Sequence, residues 1–347
     1  MPPIKKIAVL GHFAFGKKKT NGQTIKTKII TEELRRCYGD ADVDCFDTEG
    51  GIRFLLRMPF VLLTILRSHH NVVVLPAFKA VYLILPTLTI LNSFFHRRLH
   101  YVVIGGRLSD LLQRIPPLRL SLKKIDYIYP ETHFMSETLR HQHVLNTIVM
   151  PNFKHLDIIP PQDVKNFSSP PFPLCTFSRV EPSKGIEDAI KAVRMCNERT
   201  KKVLYTLDIY GPVQSEDWFN LLMSNQPQEI RYRGIVPFDK STAVLTNYFA
   251  LLFPTFYAGE GFAGTLIDAL ASGVPVIASD WKSNPEIVEH GRTGYIYPTH
   301  NVEHLANILT EIAQNPAILN NMRRNCIQKA YDYEPKNIIK TLTTHLV

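Results

Sequence analysis

Two acidic residues are the side chains best placed to do chemistry. Glu260 sits in a glycine-flanked loop and Asp268 follows eight positions later, both within Gly259–Asp280, which reads GEGFAGTLIDALASGVPVIASD. The pattern predicts Asp268 on a short apolar helix, with a Gly273-Val274-Pro275 turn leading into a β-branched strand at Val276–Ala278. Loop, helix N-terminus and strand in that order leave backbone N–H groups over 261–265 free to hold an anion. A carboxylate beside such a site suits a ligand carrying phosphate and neighbouring hydroxyls, and a nucleotide-activated sugar is one.

Upstream, Phe177-Ser178-Arg179-Val180-Glu181-Pro182-Ser183-Lys184-Gly185 ends a strand and opens a helix. Two cations at such a switch neutralise a diphosphate, Arg179 bidentately and Lys184 as a point charge. Alone, an acid in a glycine loop is a solvated turn, and an Arg–Lys pair is surface charge. Together and in this order they resemble the family-4 retaining glycosyltransferases of the GT-B fold. That signature reads here Glu260-Gly261-Phe262-Ala263, Asp268-Ala269-Leu270-Ala271 and Gly273-Val274-Pro275-Val276-Ile277, preceded by the Arg-x4-Lys-Gly spacing.

The resemblance implies a role for each matching residue. Arg179 and Lys184 would grip the leaving diphosphate, Glu260 would bind hydroxyls of the transferred sugar, and Asp268 would hold the nucleotide ribose. Gly261, Phe262, Ala263, Gly264 and Thr265 would line the donor site. Gly211 and Ile235, at the ends of two further strands, would cradle base and ribose. Asp268 departs from the family, which carries Glu there, so ribose contact would need a shifted backbone or a bridging water. Glu286, in the later Asn284-Pro285-Glu286 segment, is expected to support a helix N-terminus.

In the first half the resemblance is topological. Gly11 ends the first strand, a polar loop follows, and Gly22 opens a helix where the family places a glycine loop across from the donor diphosphate. Ile104-Gly105-Gly106-Arg107 stands where relatives carry a histidine motif. Gly105 and Gly106 there imply close backbone approach, with Arg107 an acceptor anchor. His12 is the nearest histidine by topology, and a structural role is the expectation for it. Lys17, Lys18 and Lys19 read as a solvated or membrane-facing run, and Lys26 and Lys28 as weaker ligand candidates.

The activity implied is retaining transfer of a hexose from a UDP- or GDP-sugar to a saccharide or lipid-linked saccharide, in surface polysaccharide synthesis. The leaving phosphate takes the acceptor proton, and no cofactor or metal is required. Asp40-Ala41-Asp42 and Asp42-Val43-Asp44 each read D-x-D, but they precede a strand at its N-terminal edge and are expected as solvated turns. A glycosidase reading, with two carboxylates flanking a sugar bond, leaves Arg179 and Lys184 unexplained. Nucleic-acid binding lacks an aromatic-interleaved basic patch or module. A non-catalytic sugar-nucleotide-binding partner subunit is the alternative.

These residues need an α/β frame to position them. Short apolar runs alternate with amphipathic stretches, the grammar of parallel sheets. The fold expected is GT-B: two doubly wound Rossmann-like domains with parallel sheets facing across a cleft. The expected domains are residues 1–165 on the acceptor side, 166–331 for the nucleotide-sugar, and a helix at 332–347 packing back on the first. First-half strands are predicted at 7–10, 43–46, 72–75, 101–104, 127–129 and 147–149, with a proline-rich linker over 151–173. Second-half strands are predicted at 174–177, 204–210, 230–232, 250–253, 274–278 and 295–297, with helices including 240–248 and 284–290.

Of 347 residues 45% are hydrophobic, enough to bury two cores. Five scattered cysteines, in no C-x-x-C pair, argue for a reducing cytoplasm. Charge is uneven: residues 1–165 hold 23 Lys and Arg against 13 Asp and Glu, the rest 17 against 18. The first half should therefore face something anionic. Its apolar segments Phe54–Leu66 and Tyr82–Phe95 are too interrupted to span a bilayer, yet basic residues bracket both. One reading makes them two buried helices of an α/β layer; the sharper one has one or both also touch an anionic membrane surface, which would make a cytoplasmic protein peripheral on the inner face of the cytoplasmic membrane.

Overall fold

The structure, a computed structural model, describes residues 6–15 and 22–346, with the backbone alone at Lys79. Lys17, Lys18 and Lys19 lie outside the described residues. The chain divides into two compact units, Met1–His155 with Tyr333–Val347, and Leu156–Asp332. This division falls at His155/Leu156, within the proline-rich linker, where 165/166 was expected.

The first unit runs β1 (Ile7–Gly11), α1 (Gly22–Tyr38), β2 (Val43–Asp47), α2 (Ile52–Ser68), β3 (Asn71–Leu75), α3 (Val81–Phe95), β4 (Arg98–Val102), α4 (Leu108–Arg114), α5 (Leu118–Leu122), β5 (Tyr127–Tyr129) and α6 (His133–His141). The strands pair in parallel in the order β2-β1-β3-β4-β5. Covered on both faces, β1 and β3 bury all five of their residues, which is why they read as continuous apolar runs rather than alternating ones. Alternate strand residues feed two cores. Ala8, Leu10, Val72 and Val74 pack under α2, α3, α4 and α5. Ile7, Val9, Val73 and Leu75 pack under α1 and the C-terminal helix, through Ile30, Leu34, Ile338, Ile339 and Leu342.

Two expectations here are corrected. The fourth strand starts three residues earlier than its apolar run, because pairing with β3 sets Asn71 against Arg98 and draws the buried His100 into the sheet. Residues 147–149 are not a sixth strand. A single parallel bridge joins Ile128 to Thr147, and Pro151 follows, with no N–H to continue a ladder.

The second unit runs β6 (Phe172–Phe177), α7 (Ile186–Thr200), β7 (Tyr205–Tyr210), α8 (Glu216–Met223), β8 (Ile230–Gly234), α9 (Ser241–Leu245), β9 (Ala250–Phe253), α10 (Gly264–Ala271), β10 (Val276–Ser279), α11 (Asn284–Ile287), β11 (Gly294–Tyr297), α12 (Val302–Gln314) and α13 (Ala317–Ala330); α14 (Pro335–Thr343) returns to the first unit. Its parallel sheet has the order β11-β10-β9-β6-β7-β8. The helices expected at 240–248 and 284–290 are shorter, Ser241–Leu245 and Asn284–Ile287. Each unit is thus a Rossmann-like domain built on one parallel sheet, the kind of domain expected for GT-B.

A buried cation pins the second unit. Arg323 on α13 is fully withdrawn from solvent and donates to the carbonyls of Gly273, Tyr248 and Phe249 at 3.1, 2.8 and 2.9 Å. Burial pulls its pKa down to about 10. It ties the turn after α10 to the entry of β9, so the helix carrying Asp268 is anchored at its C-terminal end.

Candidate functional site

The site grows from where β6 and β9 end side by side. Both strands deliver loops at their C-terminal edge, and two glycines let those loops close up. At Gly185, φ is +68° and a Cβ would stand 2.1 Å from the Pro254 carbonyl oxygen. At Gly211, φ is +132° and a Cβ would meet the Ser178 carbonyl oxygen at 1.7 Å. Only glycine permits these approaches. They press the Arg179–Lys184 loop against the loop after β9 on one side and against the end of β7 on the other.

That packing brings Arg179, Lys184 and Glu260 together. Lys184 Nζ donates to Glu260 Oε2 at 2.6 Å, with both side chains under 10% exposed. Thr255 Oγ1 donates to the same oxygen at 2.8 Å. Tyr257 joins the two cations: its ring lies 4.6 Å from Lys184 Nζ and 4.8 Å from the Arg179 guanidinium carbon. Cations over an aromatic face are held by its quadrupole, more strongly as water is excluded. Partial burial opposes the charge on Arg179, but a hydrogen bond with Tyr257 and the Glu181 carboxylate, 3.6 Å away, hold its pKa above the ordinary value.

The loop itself is fixed by backbone contacts. Phe256 N–H donates to the Ser183 carbonyl at 2.8 Å, and Trp281 Nε1 donates to the Tyr257 carbonyl at 2.9 Å. Gly259 is glycine because a Cβ would strike the Tyr257 ring at 2.7 Å. Gly261 and Phe262 are buried, and Ala263 is the N-cap of α10 with no side-chain cap. The first N–H groups of that helix, at Gly264 and Thr265, are therefore left for another acceptor. Thr265 Oγ1 is buried without a hydrogen-bond partner among the described residues. A Cβ at Gly264 would meet open space.

Asp268 stands apart from this cluster. It is buried on α10 and accepts from Ser241 Oγ, on α9, at 3.0 Å. Gly211 N–H donates to the Gly234 carbonyl at 2.9 Å, and Ile235, just past β8, is 68% exposed. Glu286 lies in the first turn of α11.

The first-unit residues occupy the C-terminal edge of their own sheet. His12 pairs with Glu49 at 3.2 Å. Gly22 is the first residue of α1, with open space where a Cβ would be. Gly105 has φ +76°, Gly106 is buried, and Arg107 lies 5.2 Å over the Phe78 ring. Lys26 is a buried partner of Glu131 at 2.6 Å, which makes it part of the fold's frame. Of the D-x-D carboxylates, Asp40 faces Arg35 at 3.6 Å and Asp44 faces His69 at 2.9 Å.

Sequence reasoning missed Tyr257, Thr255 and Ser241. The Tyr257 ring could have been suspected from its place three residues before the acid, but Ser241 lies 27 residues from Asp268 and carries no local signal.

Residues 162–333 match the family described as glycosyl transferases group 1. The amylovoran biosynthesis glycosyltransferase AmsK of Erwinia amylovora is 26% identical over 151 residues, 42% of this chain and 37% of that protein. The GtfA subunit of the UDP-N-acetylglucosamine–peptide N-acetylglucosaminyltransferase of Streptococcus pneumoniae serotype 4 is 27% identical over 181 residues, 51% of this chain and 35% of that protein. The chain thus spans little more than a third of the length of these relatives. Among solved structures, Anabaena Alr3699/HepE in complex with UDP-glucose matches over 99% of both chains, with a TM-score of 0.71 and 15% identity. The architecture is therefore GT-B, and residues 162–333, which hold all but a few residues of the second unit, are where the chain is similar to the glycosyl transferases group 1.

Proposed function

We propose that the protein is a retaining glycosyltransferase of family-4 type that moves a hexose from a nucleotide diphosphate-sugar to an acceptor hydroxyl. The observation carrying this reading is the buried Lys184–Glu260 pair beside Arg179, next to an uncapped helix N-terminus. Cleaving the anomeric C–O bond builds positive charge on the sugar and negative charge on the departing diphosphate. Arg179, Lys184 and the N–H groups at Gly264 and Thr265 stabilise the diphosphate, the largest kind of catalytic effect such a site offers. As the diphosphate engages Lys184, Glu260 is released to accept from hydroxyls of the transferred sugar. Asp268 and Ser241 receive the ribose, and Gly211 and Ile235 flank the base. The acceptor oxygen bonds to the anomeric carbon as its proton passes to the leaving phosphate oxygen, so neither metal nor separate base is needed.

UDP is the favoured nucleotide because HepE was solved with UDP-glucose. Polysaccharide-biosynthesis relatives such as AmsK support a saccharide acceptor. The basic first unit favours one that is lipid-linked, at the inner face of the cytoplasmic membrane. Arg179→Ala and Lys184→Ala should each lower turnover roughly 10²–10³-fold, the scale for losing one preorganised charge stabiliser. Transfer of radiolabelled sugar to membrane acceptors measures this, and rates within twofold of wild type in both variants overturn the assignment. Donor binding without turnover in any membrane fraction would instead favour a non-catalytic binding subunit. The engagement of Asp268 by Ser241 is the observation that gives this second reading its weight.

A further inference from the structure

We propose that α2, α3 and α5 form one docking face for an anionic lipid bilayer, lying in the interface plane. The three helices pack in one layer on one face of the first sheet, α2 against α3 and α3 against α5, so their outward sides look the same way. On that side α2 presents Ile52, Leu56 and Phe60 at i, i+4 and i+8, each more than 70% exposed. On α3, Ile90 and Phe94 repeat the spacing at 60% and 77% exposed, joined by the exposed Tyr82 and Leu83, and Leu120 stands out from α5. The inward sides are ordinary core: Phe54, Met58 and Leu62 on α2, Ile84, Leu85 and Leu88 on α3. On the opposite face of the sheet, α1 and α14 carry no exposed large apolar residue. Elsewhere in the unit Phe15, Phe134 and Leu145 are exposed singly, without the helical spacing of this layer. A contiguous apolar patch of this kind marks an interaction surface.

Charge identifies the occupant. Arg53 and Arg57 follow the outermost apolar side chains by one position on α2, and Arg67, Arg98, Lys123 and Lys124 are exposed around the layer. None of the three helices contains Asp or Glu, and from Ile52 to Ser109 the sequence holds no acid at all. Arginines interleaved with protruding apolar groups are the pattern of helices that sit among head groups. No helix among the described residues is long and apolar enough to cross a membrane, so the contact is with the surface. A second copy of the chain is the poorer occupant, since a two-fold contact would set this predominantly positive rim, in which Asp126 pairs with Arg98 at 3.7 Å, against itself.

This inference deepens the membrane part of the proposed function and is tested without any sugar transfer. Wild-type protein is sedimented with phosphatidylcholine vesicles containing 30% phosphatidylserine, and with phosphatidylcholine alone. Binding is expected to the anionic vesicles, at least tenfold weaker to the neutral ones, and reduced by 0.5 M salt. Arg53→Gln/Arg57→Gln should weaken it about 25-fold, from about fivefold per basic residue at a charged surface. Leu56→Asp/Phe60→Asp should abolish it, while Leu221→Asp, at an equally exposed apolar site on α8, should leave it unchanged. Unaltered far-UV circular dichroism and UDP binding show that the variants are folded. Equal binding to neutral vesicles, or unchanged binding by both double variants, overturns the proposal. So does a dimer that Leu56→Asp/Phe60→Asp dissociates while vesicles are ignored. Vesicle binding with no UDP binding by the wild type would sink the donor reading and leave this one standing.

Discussion

Lys184 and Glu260 neutralise one another at 2.6 Å in a place that water scarcely reaches. Removing one partner of such a pair leaves an uncompensated buried charge, at a cost of about 3–5 kcal/mol. A lost activity in Lys184→Ala is therefore ambiguous by itself, and the pair supplies the control. Lys184→Ala/Glu260→Ala should regain most of the melting temperature lost by either single variant while transfer stays abolished. If stability and transfer recover together, the pair is structural and the proposed chemistry belongs elsewhere. Arg179 is the cleaner single test, because its side chain is 41% exposed and its removal buries no charge. The sequence made these three residues legible, since their types and spacing are local. Tyr257 needed the fold, because the ring matters only once two loops from different strands meet around it.

At the level of elements, strands buried on both faces were easy to read and strands with polar residues were not. β4 begins Arg98-Leu99-His100, which looks like a loop until β3 fixes its register. His100 is then enclosed, its ring stacked with those of Tyr127 and Tyr129 at 5.4 and 6.1 Å, with Nε2 unpartnered among the described residues. Burial, aided by the charges of His345 and Arg98, pulls its pKa down to about 3. The sign follows directly. The folded state keeps His100 neutral, while the unfolded chain protonates below about 6.5. Its contribution is intact above pH 6.5 and is lost as pH falls toward 3, at a limiting slope of about 1.4 kcal/mol per pH unit. Urea unfolding between pH 7 and 5.5, above most carboxylate titration, should show wild type losing about 1.2 kcal/mol to this group, with the slope steepening as pH falls, and His100→Phe a flatter curve. Parallel curves would mean that His100 opens to water before the unit unfolds.

For the molecule as a whole, composition announced two cores and an uneven charge, and the two units bear out the α/β reading of the alternating pattern. What composition could not reveal was which side of the basic half carries its apolar excess. That requires knowing which helices share a layer, and helix-to-layer assignment depends on strand order rather than on any helix's own sequence. The charge chemistry proposed for the donor site also sets an expectation for the metal dependence of turnover. With Arg179, Lys184 and backbone N–H groups carrying the diphosphate, turnover should persist in 5 mM EDTA at more than half its untreated rate. A collapse restored by Mg²⁺ or Mn²⁺ would show that protein cations alone do not suffice.

The contact between Gly185 and the Pro254 carbonyl offers a way to disarm the site mechanically. Any larger residue at 185 would act as a wedge, driving the cation-bearing loop from the acid-bearing one while every charged group stays in the chain. Such a protein would keep its net charge and its lipid-facing helices, and would serve as the matched blank for separating residence at a membrane from work done there.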